Sequence, residues 1–351
     1  MLLEGIFAPI TTPFYPDERI YFRKLEANVA HYSRSLLAGI VVLGSTGEAV
    51  SLDDAETRDV LRAAAEAAAP EKVLIAGVGR ESVRATVGLA ETAAELRYDA
   101  VLVRPPSYYA GQLPTTAILQ YFRSIADRSP LPLVIYNIPK FVPYQMPIEV
   151  IEELAQHPNI VGIKDSSGNV DRIRAAVAAT QNSPRRAVPV TPVFEAVTAR
   201  MLVSPNEMPG DFVSAGDLAG GVALVHAPAF TGAKTRSKEA GFQVLSGSGG
   251  TIFESLQAGA SGAIIAFAVF APQACQEIYL AWKDHDLTLG EEKQQRIARA
   301  EKRIVGELGL AGIKYACDFN GYYGGRPRAP ILPLSAAEKD EVERLLAEIR
   351  N

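Results

Sequence analysis

Apolar and polar positions alternate in blocks along this chain. Short runs of Val, Ile, Leu and Ala close on Gly, Ser, Thr or Pro. Each run is followed by a longer amphipathic stretch rich in Ala, Leu, Glu and Arg. The runs read IFAPIT, GIVVLGS, KVLIAGVG, AVLVRPP, PLVIYNIP, IVGIKDSS, FQVLSG and GAIIAF. Between them lie helical candidates such as DDAETRDVLRAAAEAAA, ESVRATVGLAETAAELR and MPIEVIEELAQH. A near-continuous apolar run is a strand buried on both faces, as a parallel sheet covered by helices requires. Strands alternating with helices give βα units, and eight of them close a TIM barrel. A doubly wound open sheet competes, but it usually opens its first βα turn with GxGxxG, whereas the first run here ends in TTPF. The pattern therefore predicts an α/β protein of the TIM (β/α)8 class.

Two segments fall outside the rhythm. From about 181 to 241, between the sixth helix and the seventh strand, the chain is rich in Pro and Gly and shows no clear period (SPRRAVPVTP, VSPNEMPGDF, AGDLAGG). So long a stretch is unusual inside a barrel and reads as an insertion, partly ordered and lying over one barrel end. From about 287 to 351 the pattern is helical: EEKQQRIARAEKRIVGELG, LAGIKYACDF and LSAAEKDEVERLLAEIR. Ser335 three residues before Glu338 has capping-box spacing. The expected organisation is a barrel over 1–286 carrying the insertion, then a C-terminal helical region over 287–351.

Composition narrows the function. In 351 residues, Lys+Arg number 35 and Asp+Glu 40, a net charge of -5. No basic excess exists to neutralise phosphates, so nucleic acid is not an expected partner. Two cysteines, Cys275 and Cys317, make no disulfide framework. The four histidines show no metal-ligand spacing, so no metal and no cofactor is expected. The start MLLEGIFAPITTPF lacks a basic n-region, and the longest apolar stretch, around Gly262–Ala274, is too short to span a bilayer. The expectation is a soluble cytoplasmic protein without membrane contact.

Barrel chemistry gathers at the carboxyl ends of the strands, and one lysine stands there. Lys164 closes NIVGIK and precedes the turn DSSGN. Alternation puts Gly162 and Lys164 on one strand face and Val161 and Ile163 on the other. If the first face looks inward, the glycine leaves room beside an amine in a dry barrel. Burial disfavours the charged form of an ammonium, and a neutral amine attacks a carbonyl to form a Schiff base. The plainer reading is a strand-end lysine pairing with Asp165. Lys140, in YNIPK, is the rival amine, but it lies in a loop beyond Pro139 and should be wet. Lys72 precedes its strand and so points to the wrong end. Hydroxyls end the neighbouring strands: Tyr136 in VIYN, facing inward alongside Val134, Ser45 and Thr46 in VVLGSTGE, Tyr108 and Tyr109 in PPSYYAG. Hydroxyls aimed at one amine suit the proton transfers of carbinolamine formation and C–C cleavage, although tyrosines also end strands as amphipathic plugs and GSTG can be a simple turn.

GIFAPITTPF, GSTGEAVSLDDAE, YNIP, GIKDSSG, the GASGAII run and RPRAPILPLS, in this order and spacing, resemble the dihydrodipicolinate synthase / N-acetylneuraminate lyase family of class I aldolases. The resemblance covers nearly the whole chain outside 181–241. It implies a (β/α)8 barrel with C-terminal helices, a homo-oligomer (usually a tetramer, a dimer of dimers), and a pyruvate-type 2-oxo acid held as an imine and joined to or cleaved from an aldehyde. Carried over motif by motif, it makes Lys164 the Schiff-base lysine, Tyr136 the general acid/base and Ser45 the relay hydroxyl. Tyr109 becomes the tyrosine lent to a neighbouring subunit. Thr46 takes the substrate-carboxylate position, Ile264 offers the backbone carbonyl facing the imine, and Gly247 lies in the substrate-binding loop.

Two departures bear on the substrate. Dihydrodipicolinate synthases carry an arginine two residues after YNxP, where this chain has Phe141; a phenyl ring cannot replace bidentate carboxylate recognition. Sialic acid lyases place acidic residues after the seventh strand, where this chain has Gly249 and Gly250 in SGSGG. That loop leads into TIFESLQAG, which could open an anion site. The expected activity is a Schiff-base aldolase or lyase whose aldehyde is less charged than aspartate semialdehyde. Open alternatives are 4-hydroxy-tetrahydrodipicolinate synthase itself, a dehydratase of keto-deoxy sugar acids, and a catalytically silent ligand-binding barrel.

Overall fold

A computed structural model describes residues 1–202 and 235–349. In chain order the first elements are β1 (Gly5–Pro9), α1 (Phe22–Ser33), β2 (Gly39–Val42), α2 (Asp54–Ala67), β3 (Val73–Gly77), α3 (Val83–Glu95), β4 (Ala100–Val103) and α4 (Thr115–Ala126). There follow β5 (Leu133–Asn137), α5 (Ile148–Leu154), β6 (Ile160–Asp165), α6 (Val170–Thr180), β7 (Arg186–Val190), β8 (Arg236–Ala240), β9 (Gln243–Ser246), α7 (Ile252–Gln257), β10 (Gly262–Ile264) and α8 (Pro272–Lys283). All strands except β7 and β8 pair in parallel and close in the order β1-β10-β9-β6-β5-β4-β3-β2. This is the (β/α)8 barrel, each strand lying in one of the eight apolar runs. Two shells of core result. One fills the space between strands and helices; the other fills the barrel interior with Phe7, Val41, Ile75, Leu102, Val134, Leu245 and Ile264. Helix starts follow the capping residues: Asp53 accepts from the Glu56 amide and Glu56 answers in a capping box, and Ser82 and Asn169 cap α3 and α6.

Strict alternation along β6 does not hold. The pairing with β5 jumps from Leu133↔Ile160 to Val134↔Gly162. This bulge turns Val161 into the barrel interior, whereas Ile163 packs outside. Beyond the bulge, Lys164 returns inward in register with Tyr136. Gly162 has a different reason from the expected one. A Cβ there would lie 2.3 Å from the Gln243 carbonyl oxygen, so the glycine lets β6 and β9 approach and does not open space beside the amine.

The insertion begins as β structure. Strands β7 and β8 form an antiparallel pair, Arg186 opposite Ala240, a pattern hidden by Pro189 and by the polar RSKEA run. Val188, Val190 and Ala240 pack on Leu2. Arg186 donates to the carbonyls of Pro158 and Ile160, and the Ala199 amide donates to Asp99. These partners all lie at or just before strand starts, so the described part of the insertion covers the amino-terminal end of the barrel. The remainder, 203–234, lies outside the described residues.

The chain ends in α9 (Leu287–Ala300), a π-helical turn over Glu301–Glu307, α10 (Gly309–Phe319) and α11 (Ala336–Leu346), the last opened by the Ser335/Glu338 capping box. On α10, Lys314 is fully buried. Its Nζ donates to the carbonyls of Thr12 and Arg326 and pairs with Glu48, fixing these helices against the carboxyl end of the barrel. Among the described residues no helix is long and apolar enough to cross a membrane.

Candidate active site

Lys164 reaches the carboxyl end of the barrel from β6 and is 4% exposed. Its Nζ lies 4.3 Å from the centroid of the Tyr136 ring, so the flat face of the phenol covers the amine. The side chain of the next residue points the other way. Asp165 is bound by Arg172 Nε at 2.7 Å, Asn137 Nδ2 at 2.9 Å and the Ser167 amide at 2.9 Å. A pairing of Lys164 with Asp165 is thereby replaced: the carboxylate belongs to a network outside the barrel. Among the described residues no carboxylate comes within 4.0 Å of the Lys164 amine.

The Tyr136 hydroxyl lies 3.4 Å from Ser45 Oγ. Ser45 and Thr46 sit in a single 3-10 turn, Ser45–Gly47, after β2. The turn is clamped from both sides. Thr12 Oγ1 donates to the Gly47 carbonyl at 2.7 Å, and Glu48, with φ +55°, leaves the turn in the left-handed region to meet Lys314. A non-glycine residue adopts that conformation where the surroundings demand it.

A cavity of about 260 Å³ lies over these groups, bounded by Ser45, Thr46, Tyr136, Lys164, Gly247 and Glu301 among others. It shares Ser45, Tyr136, Lys140 and Phe141 with a neighbouring space of about 550 Å³. Lys140 is exposed; its Nζ donates to the Gly306 carbonyl at 3.0 Å and stands 5.8 Å above the Phe141 ring. At the far wall is Glu301, whose carboxyl is pushed up to about 7 by burial, with the Gly249 amide and the Lys140 charge pulling the other way. No group of three or more His, Cys, Asp or Glu among the described residues is placed to hold a metal ion.

Of the residues singled out in the sequence, Lys164, Tyr136, Ser45, Thr46, Gly247 and Phe141 border this one cavity. Ile264 is buried on β10 with Phe7 and Leu245 in the barrel interior. Tyr109 borders neither space within one chain; it is 57% exposed, its ring edge-on to Tyr108 at 4.9 Å. Lys72 binds the carbonyls of Ser35 and Leu37 at the opposite end. The helix after SGSGG, α7, is only six residues long, too short to raise an anion site. Glu301 has no counterpart in the sequence reading, because its run EEKQQRIARAEKRIV has the period of a solvated helix face.

Comparison with known proteins agrees in extent. The profile of the dihydrodipicolinate synthetase family matches residues 2–184 and 231–349, and the gap lies inside the insertion. The 4-hydroxy-tetrahydrodipicolinate synthase of Acidiphilium cryptum is 29% identical over 342 residues, 97% of this chain and 96% of that protein. The L-threo-3-deoxy-hexylosonate aldolase of Hypocrea jecorina is 29% identical over 351 residues, 98% of this chain and 95% of that one. YagE of E. coli K12, a prophage protein of the dihydrodipicolinic acid synthase family solved in complex with pyruvate, shares the fold at a TM-score of 0.77 and 22% identity, over 99% of each chain.

Proposed function

This chain belongs to the dihydrodipicolinate synthetase family, and we propose that it joins a pyruvate-type 2-oxo acid to an aldehyde, or cleaves the product, through an imine on Lys164. The observation that carries the reading is an amine buried under a tyrosine ring with no counter-ion among the described residues, the ring's hydroxyl in turn lying beside that of Ser45. In the forward direction the Lys164 nitrogen attacks the keto carbon, and the carbinolamine loses its oxygen as water. The resulting iminium gives up a proton from the neighbouring carbon, and the enamine attacks the aldehyde carbon. The aldehyde oxygen takes a proton, and water returns to release Lys164. Tyr136 moves these protons and Ser45 passes them on. Thr46 and the amides of its turn hold the 2-oxo acid carboxylate, Gly247 borders the substrate cavity with Ser166 packed where its side chain would be, and the Ile264 carbonyl faces the imine. No cofactor enters these steps.

Phe141 at the cavity, with Lys140 drawn to the Gly306 carbonyl, favours an aldehyde without a carboxylate at that place. The exposed Tyr109 suits a homo-oligomer, a dimer of dimers, in which the tyrosine enters a neighbour's site. The same reading takes the protein to be cytoplasmic.

Borohydride reduction in the presence of pyruvate tests the imine. The expected result is a mass increase located on Lys164, lost in Lys164→Ala and kept in Lys140→Ala. Label on Lys140, or no label over a range of pH, rejects the mechanism.

A further inference from the structure

One acidic side chain of the cavity has no part in the imine chemistry. Glu301 starts the π-helical turn Glu301–Glu307; such widened turns often mark functional sites. Its carboxyl group occupies the space that a side chain on residue 249 would fill. A Cβ at Gly249 would lie 2.7 Å from both Cδ and Oε2 of Glu301. Oε2 is sealed from solvent and has no hydrogen-bond partner among the described residues. The adjoining wall carries the hydroxyls of Ser166, Ser167 and Ser248, and none of the residues bounding this cavity is an arginine.

We propose that Glu301 is a specificity-determining residue, its carboxyl exchanging a hydrogen bond with a hydroxyl of the aldehyde, so that the partner of the 2-oxo acid is a small, uncharged hydroxyaldehyde. The inference rests on the function proposed above and names its second substrate. A carboxyl group repels a carboxylate or phosphate and rewards a hydroxyl, which can donate to its ionised form or accept from its protonated form. With burial pushing it up to about 7, Glu301 offers both forms near neutrality. The terminal torsion of a glutamate is soft, so the carboxyl turns toward a ligand without leaving its seat under Gly249.

Aldol kinetics with pyruvate and three aldehydes test this: glyceraldehyde, its deoxy counterpart propionaldehyde, and the anionic glyoxylate. The wild-type protein is expected to prefer glyceraldehyde in kcat/KM by about a hundredfold or more, because a site built to bind a hydroxyl rejects the analogue lacking one. Glu301→Ala should bring the two neutral aldehydes to within a few-fold, while Glu301→Gln, which still hydrogen-bonds, should keep most of the preference. Borohydride trapping of pyruvate on Lys164 should be unchanged in both variants. Equal use of the two neutral aldehydes by the wild type, a preference for glyoxylate, or equal losses for all aldehydes in Glu301→Ala overturns the assignment while trapping persists. Absence of trapping in the wild type overturns the imine mechanism itself, and the two failures are read separately.

Discussion

The two ends of this barrel are finished in opposite ways. At the amino-terminal end the inserted hairpin supplies partners to the strand starts. The buried Asp99 carboxylate accepts from the Leu74 and Ala199 amides at 2.9 and 2.7 Å and faces Arg200 at 3.6 Å. Arg200 also donates to the carbonyls of Arg97, Ala69 and Lys72. At the carboxyl end Lys314, Glu48 and Asp165 are fully partnered, but the groups that face the cavity hold fewer contacts. Among the described residues Lys164 has no carboxylate within 4.0 Å, the Tyr136–Ser45 contact is long at 3.4 Å, and Glu301 Oε2 has no hydrogen-bond partner. Native structures pair their buried polar groups, and exceptions call for an explanation. Among the described residues Glu301 Oε2 is the exception that borders the cavity, whereas the insertion leaves only Arg200 Nε without a partner. In a barrel of this class stability and chemistry are divided between the ends, and the described part of the insertion packs on the first.

The division breaks most visibly through Tyr136. Replacing it with Phe keeps the ring over the Lys164 amine and removes only the hydroxyl. We expect kcat to fall by about 10²–10⁴, the range for a lost acid/base group, with the melting temperature nearly unchanged. A fall below tenfold would show that the relay does not run through this oxygen. Arg200→Ala attacks the other end. It strips the guanidinium from a carboxylate whose side chain is 0% exposed, and breaking such a pair destabilises by about 3–5 kcal/mol. Burial already holds Asp99 above the usual carboxylate range, against the pull of the two amides and Arg200. Removing Arg200 raises it further, so the loss should be greatest at neutral pH and shrink as pH falls through the carboxylate range. Urea unfolding at several pH values measures it. The kcat of the folded variant should match wild type; a joint fall in kcat would mean that the ends are coupled.

The sequence displays the first end poorly and the second well. The barrel was legible because each buried strand is a continuous apolar run, and Lys164 stood out because it closes one of them. Six of the eight residues singled out share a cavity. The bulge at Val161 left no trace in residue type, since valine suits either face. The hairpin was hidden because its apolar positions, Val188 and Val190, flank a proline and its second strand is mostly exposed. Tyr109 is exposed and borders neither cavity of the single chain. Glu301 was invisible for a physical reason: one acid in a charged helical run becomes buried only through tertiary packing, here against a glycine from another loop.

The smallest of the expected effects separates the ends by their titration. Both Asp99 and Glu301 are raised by burial, so both make the wild-type protein less stable as pH climbs, and the wild-type profile alone cannot apportion the slope. Glu301→Gln can. Between the ordinary 4.5 and about 7 the folded chain keeps a proton on Glu301 that the unfolded chain has released. Stability from this group is therefore full below that window, declines across it, and is gone above it. The integrated loss is on the order of 3 kcal/mol, and glutamine abolishes it while leaving Asp99 in place. The difference between variant and wild type should be flat in acid, move in the variant's favour through the window, and level off above it. Lys140 is the facing charge that resists the shift, so Lys140→Ala should deepen the wild-type slope. Parallel profiles for wild type and Glu301→Gln would place the carboxyl in water and remove the buried acid from the mouth of the barrel.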